Sequence, residues 1–375
     1  MKLYAAPLTP VDEEYIRKAR SFAEERMAPI VEDTEQQRRQ PALLREMIAE
    51  FTKLYIPKTL GGLGASTMTI CRELEELARV DYGVTFAFEV HNHAAMVLSM
   101  TENEALRNRY LPGMLTGDTI GAFLLTEPGA GSDAASIRCR AQMQDGRYVI
   151  NGEKAWVTNA GTADLLLVFA QTGEAPKDVV ALAVERTAPG VEFQGAYHMA
   201  GAHAAETGAF VFNNVSVPAD HVIFPTGDAF YKALGAIEFA RFAIAAMANG
   251  AFLGALETAI AYDKERVQFG RPLLKNQGLQ WKLADQVTRL EASRMLTYLA
   301  AKTIDDGTGA AGIAAHCKKY AVECAFRGVN TAIQCMGSNG LKREYPLVRQ
   351  MTALTTAFNA DGTNDICNVV ISKSL

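Results

Sequence analysis

The sequence predicts an α+β protein with an N-terminal α-helical domain (residues 1–118), a middle β-sandwich or barrel domain (119–225) and a C-terminal four-helix bundle (226–375). Three observations support this prediction. Helix caps and Pro or Gly breaks divide the first third into helix-sized pieces. Short apolar runs separated by Gly, Pro and Asp occupy the middle. Long segments rich in small apolar residues occupy the end.

Helix-start signals dominate the first part. Thr9-Pro10, followed by three acids within four residues, is an N-cap with proline at the first helical position and negative charge in the first turn. The segment Thr101–Glu104 has the pattern of a capping box that opens a helix from Ala105 to Leu111.

The middle part begins with the apolar run Gly121–Leu125, which predicts a strand, followed by the compact turn Thr126–Asp133. A hairpin closed at Asp145-Gly146 comes next. The clearest further strands are Tyr148–Asn151, Leu165–Ala170, Val179–Val184 and Ala209–Phe212.

After Pro225 the helical pattern returns. Phe239–Ala261 is almost wholly apolar or small, which predicts a helix buried on most sides. Three further helical segments are expected, with breaks near Gly307–Gly312 and Gly337–Gly340, and a four-helix bundle would account for them.

Composition narrows the class of function. The net charge of −5 makes nucleic acid an unexpected partner. No apolar run approaches the roughly 20 residues that span a bilayer, so no membrane segment is expected. Met1–Tyr4 leads straight into the first capped helix, which predicts no leader peptide.

The cysteine and histidine patterns also carry predictions. The six cysteines show no CxxC or disulfide-like spacing and are expected to be buried thiols in a reducing cytoplasm. No histidine pattern indicates a metal site, because His91 and His93 would point in different directions on a helix.

The stretch from Phe123 to Thr158 combines groups that suit a planar ligand with polar edges. Gly129 and Gly131 would let the backbone approach a ligand closely. The hydroxyl groups and the aromatic face of the same stretch would add hydrogen bonds and a flat apolar contact; they come from Thr126, Ser132, Thr158 and Trp156. From spacing alone, an ordinary surface turn before a buried strand remains an equal alternative.

Five motifs in this chain resemble those of the acyl-CoA dehydrogenase family, in the family's order and over essentially the whole chain. TEPGAGSD (126–133) with NGEKAWVTN (151–159) resembles its flavin-binding signature. ERVQFGRPL (265–273) through Gln277 resembles its R-x-x-F-G segment, and QCMGSNG (334–340) its Q-x-x-G-G-x-G segment. EYP (344–346) and DGT (361–363) resemble its E-Y-P and E-G-T elements.

This resemblance implies FAD as cofactor, an α–β–α fold assembled as a homotetramer of paired dimers, and an electron-transferring flavoprotein as the electron acceptor. It implies that the isoalloxazine lies against Leu125, Thr126, Gly131, Ser132, Trp156 and Thr158, with Thr158 near N5. It implies that the adenosine diphosphate half is held, partly across a subunit interface, by Arg266, Phe269, Gln277, Gln334, Gly337, Thr363 and Asp365.

The expected catalytic base departs from the family pattern. The family usually has glutamate before Gly-Thr near the C-terminus, and this chain has Asp361. The position used by a minority of members, before Arg241, is Ala240. Aspartate has the right chemistry with one methylene less reach, so we expect Asp361 to act as the base on a shifted or different substrate. The alternative is that Asp361 only shapes the turn before Gly362.

Other residues are candidates for substrate contact. Resemblance places Glu89 near the floor of the acyl pocket, where a buried carboxyl would have a raised pKa and could serve a second proton transfer or bind a polar tail. A partly exposed helix residue is the alternative. Glu238, Arg241 and Gly362 would contact substrate or support the pocket, although the spacing of the first two also suits an intrahelical ion pair.

Two further departures bear on the substrate. The family's Arg-x-Ser element is missing from His198–Ala205, and Met351–Ala353 replaces its usual Arg-Asp. We therefore expect either acyl-CoA dehydrogenation or oxidation of a carrier-protein-bound acyl thioester. Elimination from a substituted acyl-CoA, and a flavin-loaded thioester-binding protein without turnover, also stay open.

Overall fold

The computed structural model describes residues 3–4, 9–37, 41–175 and 177–375. It has helices before and after a β-sheet, which confirms the predicted fold class. The leader prediction falls in part on residues 1–2, which lie outside the described residues.

The described residues of the N-terminal part form six α-helices: α1 (Pro10–Phe22), α2 (Val31–Gln37), α3 (Pro41–Phe51), α4 (Thr67–Val80), α5 (Tyr82–Ser99) and α6 (Glu104–Thr116). The predicted cap of α1 is confirmed, because the Thr9 hydroxyl accepts from the Asp12 N–H at 3.2 Å and the Asp12 carboxylate accepts from the Thr9 N–H at 3.1 Å. Buried side chains cover most of α5, so this helix lies in the centre of the N-terminal part.

The predicted start of α6 is wrong. Its N-cap is Asn103, whose side chain accepts from the Leu106 N–H at 3.0 Å. The Thr101 hydroxyl instead donates to the carbonyl of Ile223, which fastens the helix start to the sheet. Asparagine caps as well as threonine does, and the helix runs through Pro112 to Thr116.

In the part of the middle region that the structure describes, eight strands form one mixed sheet: β1 (Gly121–Leu124), β2 (Arg140–Gln144), β3 (Arg147–Val157), β4 (Leu165–Gln171), β5 (Val179–Glu185), β6 (Val191–Ala196), β7 (Gly208–Pro218) and β8 (Val222–Phe224). Their order is β6-β7-β3-β2-β4-β5-β8, with β1 parallel to β4. A single residue pair, Arg140 with Gln171, joins the two halves between β2 and β4. The predicted strands are all present, and β2 and β3 meet at Asp145 (φ 49°) and Gly146 (φ 75°), which confirms the hairpin turn.

The C-terminal part, residues 226–375, is described in full and contains five α-helices: α7 (Ala229–Glu265), α8 (Gln277–Asp305), α9 (Ala311–Met336), α10 (Leu347–Ala357) and α11 (Asn364–Ser372). Two short strands, β9 (Val267–Gln268) and β10 (Arg271–Pro272), form a hairpin between α7 and α8. Four helices therefore follow α7 rather than the predicted three, because the chain turns once more between α10 and α11, at Asp361 and Gly362.

Helix α7 packs against α4, α5, α8 and α9. Among the described helices, only α7 has the length and the apolar composition that could cross a membrane. Nearly all of its apolar segment is buried inside the protein. The sequence prediction that no apolar run reaches this length is corrected accordingly. The six cysteines are free and buried.

Candidate active site

A cavity of about 520 Å³ lies where the end of β1, the end of β3, helix α5, the start of α7 and the α10–α11 turn meet. Ten of the residues predicted from the sequence line it: Leu125, Thr126, Gly131, Ser132, Trp156, Thr158, Arg241, Asp361, Gly362 and Thr363. The structure thus brings the predicted isoalloxazine contacts and the predicted base to one site.

A buried ion pair holds the Thr126–Asp133 loop against β3. The Lys154 ammonium donates to the Glu127 carboxylate and to the Leu125 carbonyl, each at 2.8 Å, and the Lys154 side chain has no solvent exposure. Glu127 also accepts from the backbone N–H groups of Arg138 at 2.6 Å and Cys139 at 2.9 Å. Both charges are paired and hydrogen bonded, so the loop is fixed in position by the protein itself.

The cavity side of this loop is open to a ligand. A Cβ atom at Gly129 or Gly131 would meet no heavy atom within 4 Å. Trp156 is 59% exposed, and its ring centroid lies 4.7 Å from that of Tyr197. An open backbone surface beside an accessible aromatic ring and the hydroxyls of Thr126 and Thr158 fits the flat, polar-edged isoalloxazine.

The predicted base lies in the turn between α10 and α11. Asp361 (φ 50°) and Gly362 (φ 87°) both have left-handed backbone conformations, which aspartate and glycine tolerate. The Arg241 Nε donates to the Asp361 carbonyl at 3.0 Å, and the Lys318 ammonium donates to the Gly362 carbonyl at 2.8 Å. Two cations on neighbouring helices therefore fix the turn that carries the carboxyl.

Burial raises the pKa of Asp361 to about 6, and the Lys318 and Arg241 cations limit the rise by favouring the carboxylate. A carboxyl with this pKa is ionised at neutral pH and is a stronger base than an exposed aspartate. Asp361 shapes the turn before Gly362, and it also lines the cavity with a carboxyl whose pKa is raised. The structure is therefore compatible with Asp361 as a base and with Asp361 as a turn residue.

The Glu89 side chain is fully buried, so the alternative of a partly exposed helix residue is wrong. Burial, and then the charge of Asp361, raises the pKa of Glu89 well above its usual range. Glu238 is partly buried, and burial raises its pKa while Arg241 lowers it. No Glu238–Arg241 salt bridge within 4.0 Å occurs among the described residues, and the Arg241 Nε contacts Asp361 instead.

Thr363 lines the cavity, and its hydroxyl caps α11 by accepting from the Ile366 N–H at 3.1 Å. The other residues predicted to hold the adenosine diphosphate half do not line the cavity. Asp365 is exposed in the first turn of α11. The others lie near the far end of α7: Arg266, Phe269, Gln277, Gln334 and Gly337. From Arg241 to the end of α7 at Glu265 is about 36 Å along the helix axis, at 1.5 Å per residue.

Three family models cover this chain: the N-terminal domain of acyl-CoA dehydrogenase matches residues 9–118, the middle domain 122–215 and the C-terminal domain 227–375. An acyl-CoA dehydrogenase of Bacillus subtilis is 34% identical over 364 residues, which are 96% of each chain. The chain belongs to the acyl-CoA dehydrogenase family.

Solved structures agree with this assignment. Butyryl-CoA dehydrogenase from Megasphaera elsdenii has a TM-score of 0.95 at 31% identity and covers 99% of both chains. Glutaryl-CoA dehydrogenase from Mycobacterium smegmatis in complex with FADH2 has a TM-score of 0.92 at 27% identity, covering 98% of this chain and 95% of that one. The predicted family, the oxidoreductase class and the FAD cofactor are confirmed at the level of the family.

The two departures from the acyl-CoA dehydrogenase pattern are neighbours in space. A Cβ atom at Gly201 would lie 2.7 Å from backbone atoms of Thr352 and Ala353. His203 donates its backbone N–H to the Glu35 carboxylate at 3.0 Å, so α2 also holds this loop. Met199 and Ala202 line the cavity, which means that the altered loop forms part of the wall of the site.

Sequence reasoning missed three residues of this dehydrogenase site. Glu127 and Lys154 lie inside the quoted motifs, but nothing in the local sequence of either residue indicated that they form a buried pair. His93 lines the cavity next to Phe123, with ring centroids 4.7 Å apart. The prediction that His91 and His93 point apart is confirmed, because His91 accepts from the Gly121 N–H at 3.0 Å and its other ring nitrogen donates to the Met114 carbonyl.

Proposed function

We propose that this chain catalyses FAD-dependent α,β-dehydrogenation of an acyl thioester, with Asp361 as the base. The observation that carries the proposal is the carboxyl of Asp361, with a pKa of about 6, on the same cavity as the predicted isoalloxazine contacts. The family assignment supports the reaction class.

The reaction breaks two C–H bonds at adjacent carbons. The α-carbon's proton goes to the Asp361 carboxylate, a hydride leaves the β-carbon, and the α,β-double bond forms from the remaining electron pair. FAD supplies the hydride acceptor at N5. In this proposal Thr126, Ser132 and Thr158 would hold the isoalloxazine by hydrogen bonds, and Trp156 would cover it with its ring.

Arg241 and Lys318 act as positioning residues. Their hydrogen bonds to the Asp361 and Gly362 carbonyls hold the α10–α11 turn, and their charges favour the ionised base. The aspartate side chain is one methylene shorter than glutamate. The position in which Arg241 and Lys318 hold this turn therefore decides whether the carboxylate reaches the α-carbon of the substrate.

The adenosine diphosphate half would be held by two chains. A span of about 36 Å along α7 is too long for one FAD molecule to reach from the cavity to Arg266. Phe269, at the tip of the β9–β10 hairpin, is 96% exposed, as a residue that contacts a second subunit would be. We therefore propose a homo-oligomer, with the homotetramer of the family as the expected form. We also propose that the protein acts in the cytoplasm, with an electron-transferring flavoprotein as the electron acceptor.

Oxidation of a carrier-protein-bound thioester is the second candidate. It is favoured by the loop 198–205, which has no arginine and is held by Glu35 and by the close packing of Gly201. Such a substrate keeps the pantetheine arm and lacks the adenosine 3′-phosphate of CoA.

The test is anaerobic reduction of the bound flavin by linear, branched, alicyclic and carrier-bound thioesters, for the native protein and for Asp361→Asn. We expect bleaching with at least one class and a reduction rate at least a thousandfold lower in Asp361→Asn, with thioester binding retained. Asp306→Asn is the control, because Asp306 is an exposed partner of Lys302 and does not line the cavity.

Two other results of the flavin-reduction test would contradict the proposed function. Unchanged reduction in Asp361→Asn would move the base elsewhere, with Glu89 as the first candidate. A flavin spectrum that thioesters perturb but never bleach would identify a binding protein without turnover.

A further inference from the structure

We infer that an ion pair between His203 and Glu35 is a pH-sensitive latch that holds the loop 198–205 in the conformation that binds substrate. His203 is then a positioning residue that acts on thioester affinity rather than on the rate of the chemical step. The inference rests on the proposed function for the identity of the ligand.

The loop 198–205 borders both parts of the site. Met199 and Ala202 line the cavity. Tyr197, directly before the loop, has its ring centroid 4.7 Å from that of Trp156, the predicted cover of the isoalloxazine. A shift of this loop therefore changes the cavity wall and the support of Trp156 together.

The hydrogen bonds of the His203 ring require it to be protonated on both nitrogens. Nδ1 lies 3.0 Å from the Glu35 carbonyl oxygen and 3.1 Å from the Oε1 of the same residue. Nε2 lies 2.7 Å from the Met199 carbonyl oxygen. A carbonyl oxygen only accepts, so both ring nitrogens must donate, and only the imidazolium can do that.

The Glu35 carboxyl has the complementary arrangement. Its Oε2 accepts from the His203 backbone N–H at 3.0 Å, and its Oε1 faces the ring Nδ1. Both oxygens face donors, as suits an ionised carboxylate. The two side chains are 16% and 17% exposed, so water screens their charges only in part. An imidazolium–carboxylate pair thus joins α2 to the cavity wall.

Other charges near the pair leave His203 as the direct counter-charge of Glu35. Arg349 already bonds to Asp81 at 2.8 Å and to Glu32 at 3.0 Å. Burial, and then the charge of Asp81, raises the pKa of Glu35, whereas His203 and Arg349 lower it. The charged and titratable groups around the pair are Glu32 on α2, Asp81 at the start of α5, Arg349 on α10, and His198 and Glu206 in or next to the loop.

Loss of the His203 proton breaks this arrangement without unfolding the loop. A neutral ring can donate from one nitrogen only, and Glu35 then keeps a largely buried charge without its counter-charge. Two other anchors remain: the Asn159 N–H donates to the Ala205 carbonyl at 2.8 Å, and Gly201 packs closely against α10. We therefore expect the loop to shift and thioester affinity to fall as the pH rises, because histidine is the side chain that changes charge near neutral pH.

The test measures affinity against pH in the FAD-loaded Asp361→Asn protein, where turnover does not interfere. Dissociation constants of linear, branched and alicyclic acyl pantetheine thioesters are determined by calorimetry from pH 6 to 8.5. We expect the dissociation constant to rise about fivefold over this range, since a hydrogen bond to a charged group contributes at least that much. Burial lowers the pKa of His91 and His93 to about 4, so neither ring changes charge in this range.

Variants in the same background assign the effect. His203→Gln and Glu35→Gln should each bind at pH 6 as weakly as the parent does at pH 8.5, with little dependence on pH. His198→Gln is the matched control, because His198 is an exposed histidine of the same loop and does not line the cavity. It should keep the full pH dependence.

A double-mutant cycle separates pairing from general damage to the loop. His203→Gln and Glu35→Gln should be coupled at pH 6 and independent at pH 8.5, because the pair exists only while the imidazole is protonated. With Asp361 intact, His203→Gln should raise the thioester concentration needed for half-maximal flavin reduction and leave the rate at saturation unchanged. The flavin-to-protein absorbance ratio shows whether each variant folds, and the pH dependence of the parent tests the latch without any of them.

The outcomes distinguish this inference from the proposed function. Affinity that stays constant from pH 6 to 8.5 in the parent, or an unchanged pH dependence in His203→Gln, would overturn the latch and leave the dehydrogenase proposal standing. Loss of the pH dependence in His198→Gln alone would also overturn it. The expected pH dependence together with no flavin reduction in the native protein would support the latch and overturn the proposed reaction. Absence of binding by every thioester would overturn both.

Discussion

Two sides of the site, the loop 126–133 with β3 and the helix α5, differ in how far the protein satisfies its own polar groups. On the flavin side, Glu127 and Lys154 are buried, paired and further hydrogen bonded to backbone groups. On the α5 side, Glu89 and His93 are equally buried and have polar atoms without a partner among the described residues.

This difference separates two kinds of binding surface. The flavin wall is complete before any ligand arrives, which suits a cofactor that stays bound through every catalytic cycle. The α5 side holds buried polar atoms that no described protein group pairs, which costs free energy in the protein as it stands. Arg241 and Lys318 hold the turn with Asp361, and the charge of Asp361 raises the pKa of Glu89.

The largest effect is expected from breaking the satisfied wall. Lys154→Met leaves the Glu127 carboxylate buried without its counter-charge, which should lower the free energy of unfolding by about 3–5 kcal/mol. The loop 126–133 should lose its position, and flavin content should fall with it. Urea unfolding and the flavin-to-protein absorbance ratio measure both effects.

An exposed pair provides the control for that change. Lys302→Met removes the partner of Asp306 on the surface of α8 and should change stability by no more than about 0.5 kcal/mol. Equal losses in the two variants would show that burial of the Glu127–Lys154 pair has no special weight.

A smaller effect of opposite sign is expected at the turn. The folded-state pKa of Asp361, about 6, is higher than the ordinary value of 3.8, so folding disfavours the ionised form. The contribution of this group is therefore most favourable at acidic pH and is lost as the pH rises through about 6. Asparagine keeps the size and tolerates the left-handed backbone, so Asp361→Asn should stabilise the FAD-loaded protein by up to about 2–3 kcal/mol above pH 7 and little near pH 4. Urea unfolding at a series of pH values measures this difference; a constant difference across the range would contradict it.

The smallest effect concerns rates. Because the base must be ionised, the rate constant for flavin reduction should be constant above about pH 7 and fall about tenfold per unit below the pKa of Asp361, about 6. Glu89→Gln should leave this fall in rate in place, because the fall near pH 6 belongs to Asp361, whereas burial and the charge of Asp361 raise the pKa of Glu89 well above its usual range. Anaerobic stopped-flow absorbance measures this rate constant. A fall in rate near pH 4 instead of pH 6 would mean that water stabilises the Asp361 carboxylate more than its buried position implies.

Local signals in the sequence predicted what depends on local structure. The turn at Asp145-Gly146 follows from two residues that accept positive φ, and the cap at Thr9 from a hydroxyl and a carboxylate three residues apart. Sequence reasoning, mainly through the family motifs, identified ten of the 25 described residues that line the cavity. The cap of α6 was misassigned because two good capping residues lie two positions apart, and only the tertiary bond from Thr101 to Ile223 decides between them.

Long-range contacts explain the rest. Glu127 and Lys154 are 27 residues apart, and nothing local to either residue indicates that they pair. Burial of Glu89 depends on packing from helices distant in the chain, and the role of His93 depends on which face of α5 meets the cavity. The division of the last segment into α10 and α11 was missed for the same reason, since cations from α7 and α9 hold the turn between these two helices.

The close packing of Gly201 against Thr352 and Ala353 has a consequence for redesign of the enzyme. The loop at 198–205 and the helix turn at 351–353 are structurally coupled, because a side chain at position 201 would collide with the backbone of Thr352 and Ala353. Grafting an arginine-bearing loop from a relative into this chain therefore requires both segments to be transplanted together.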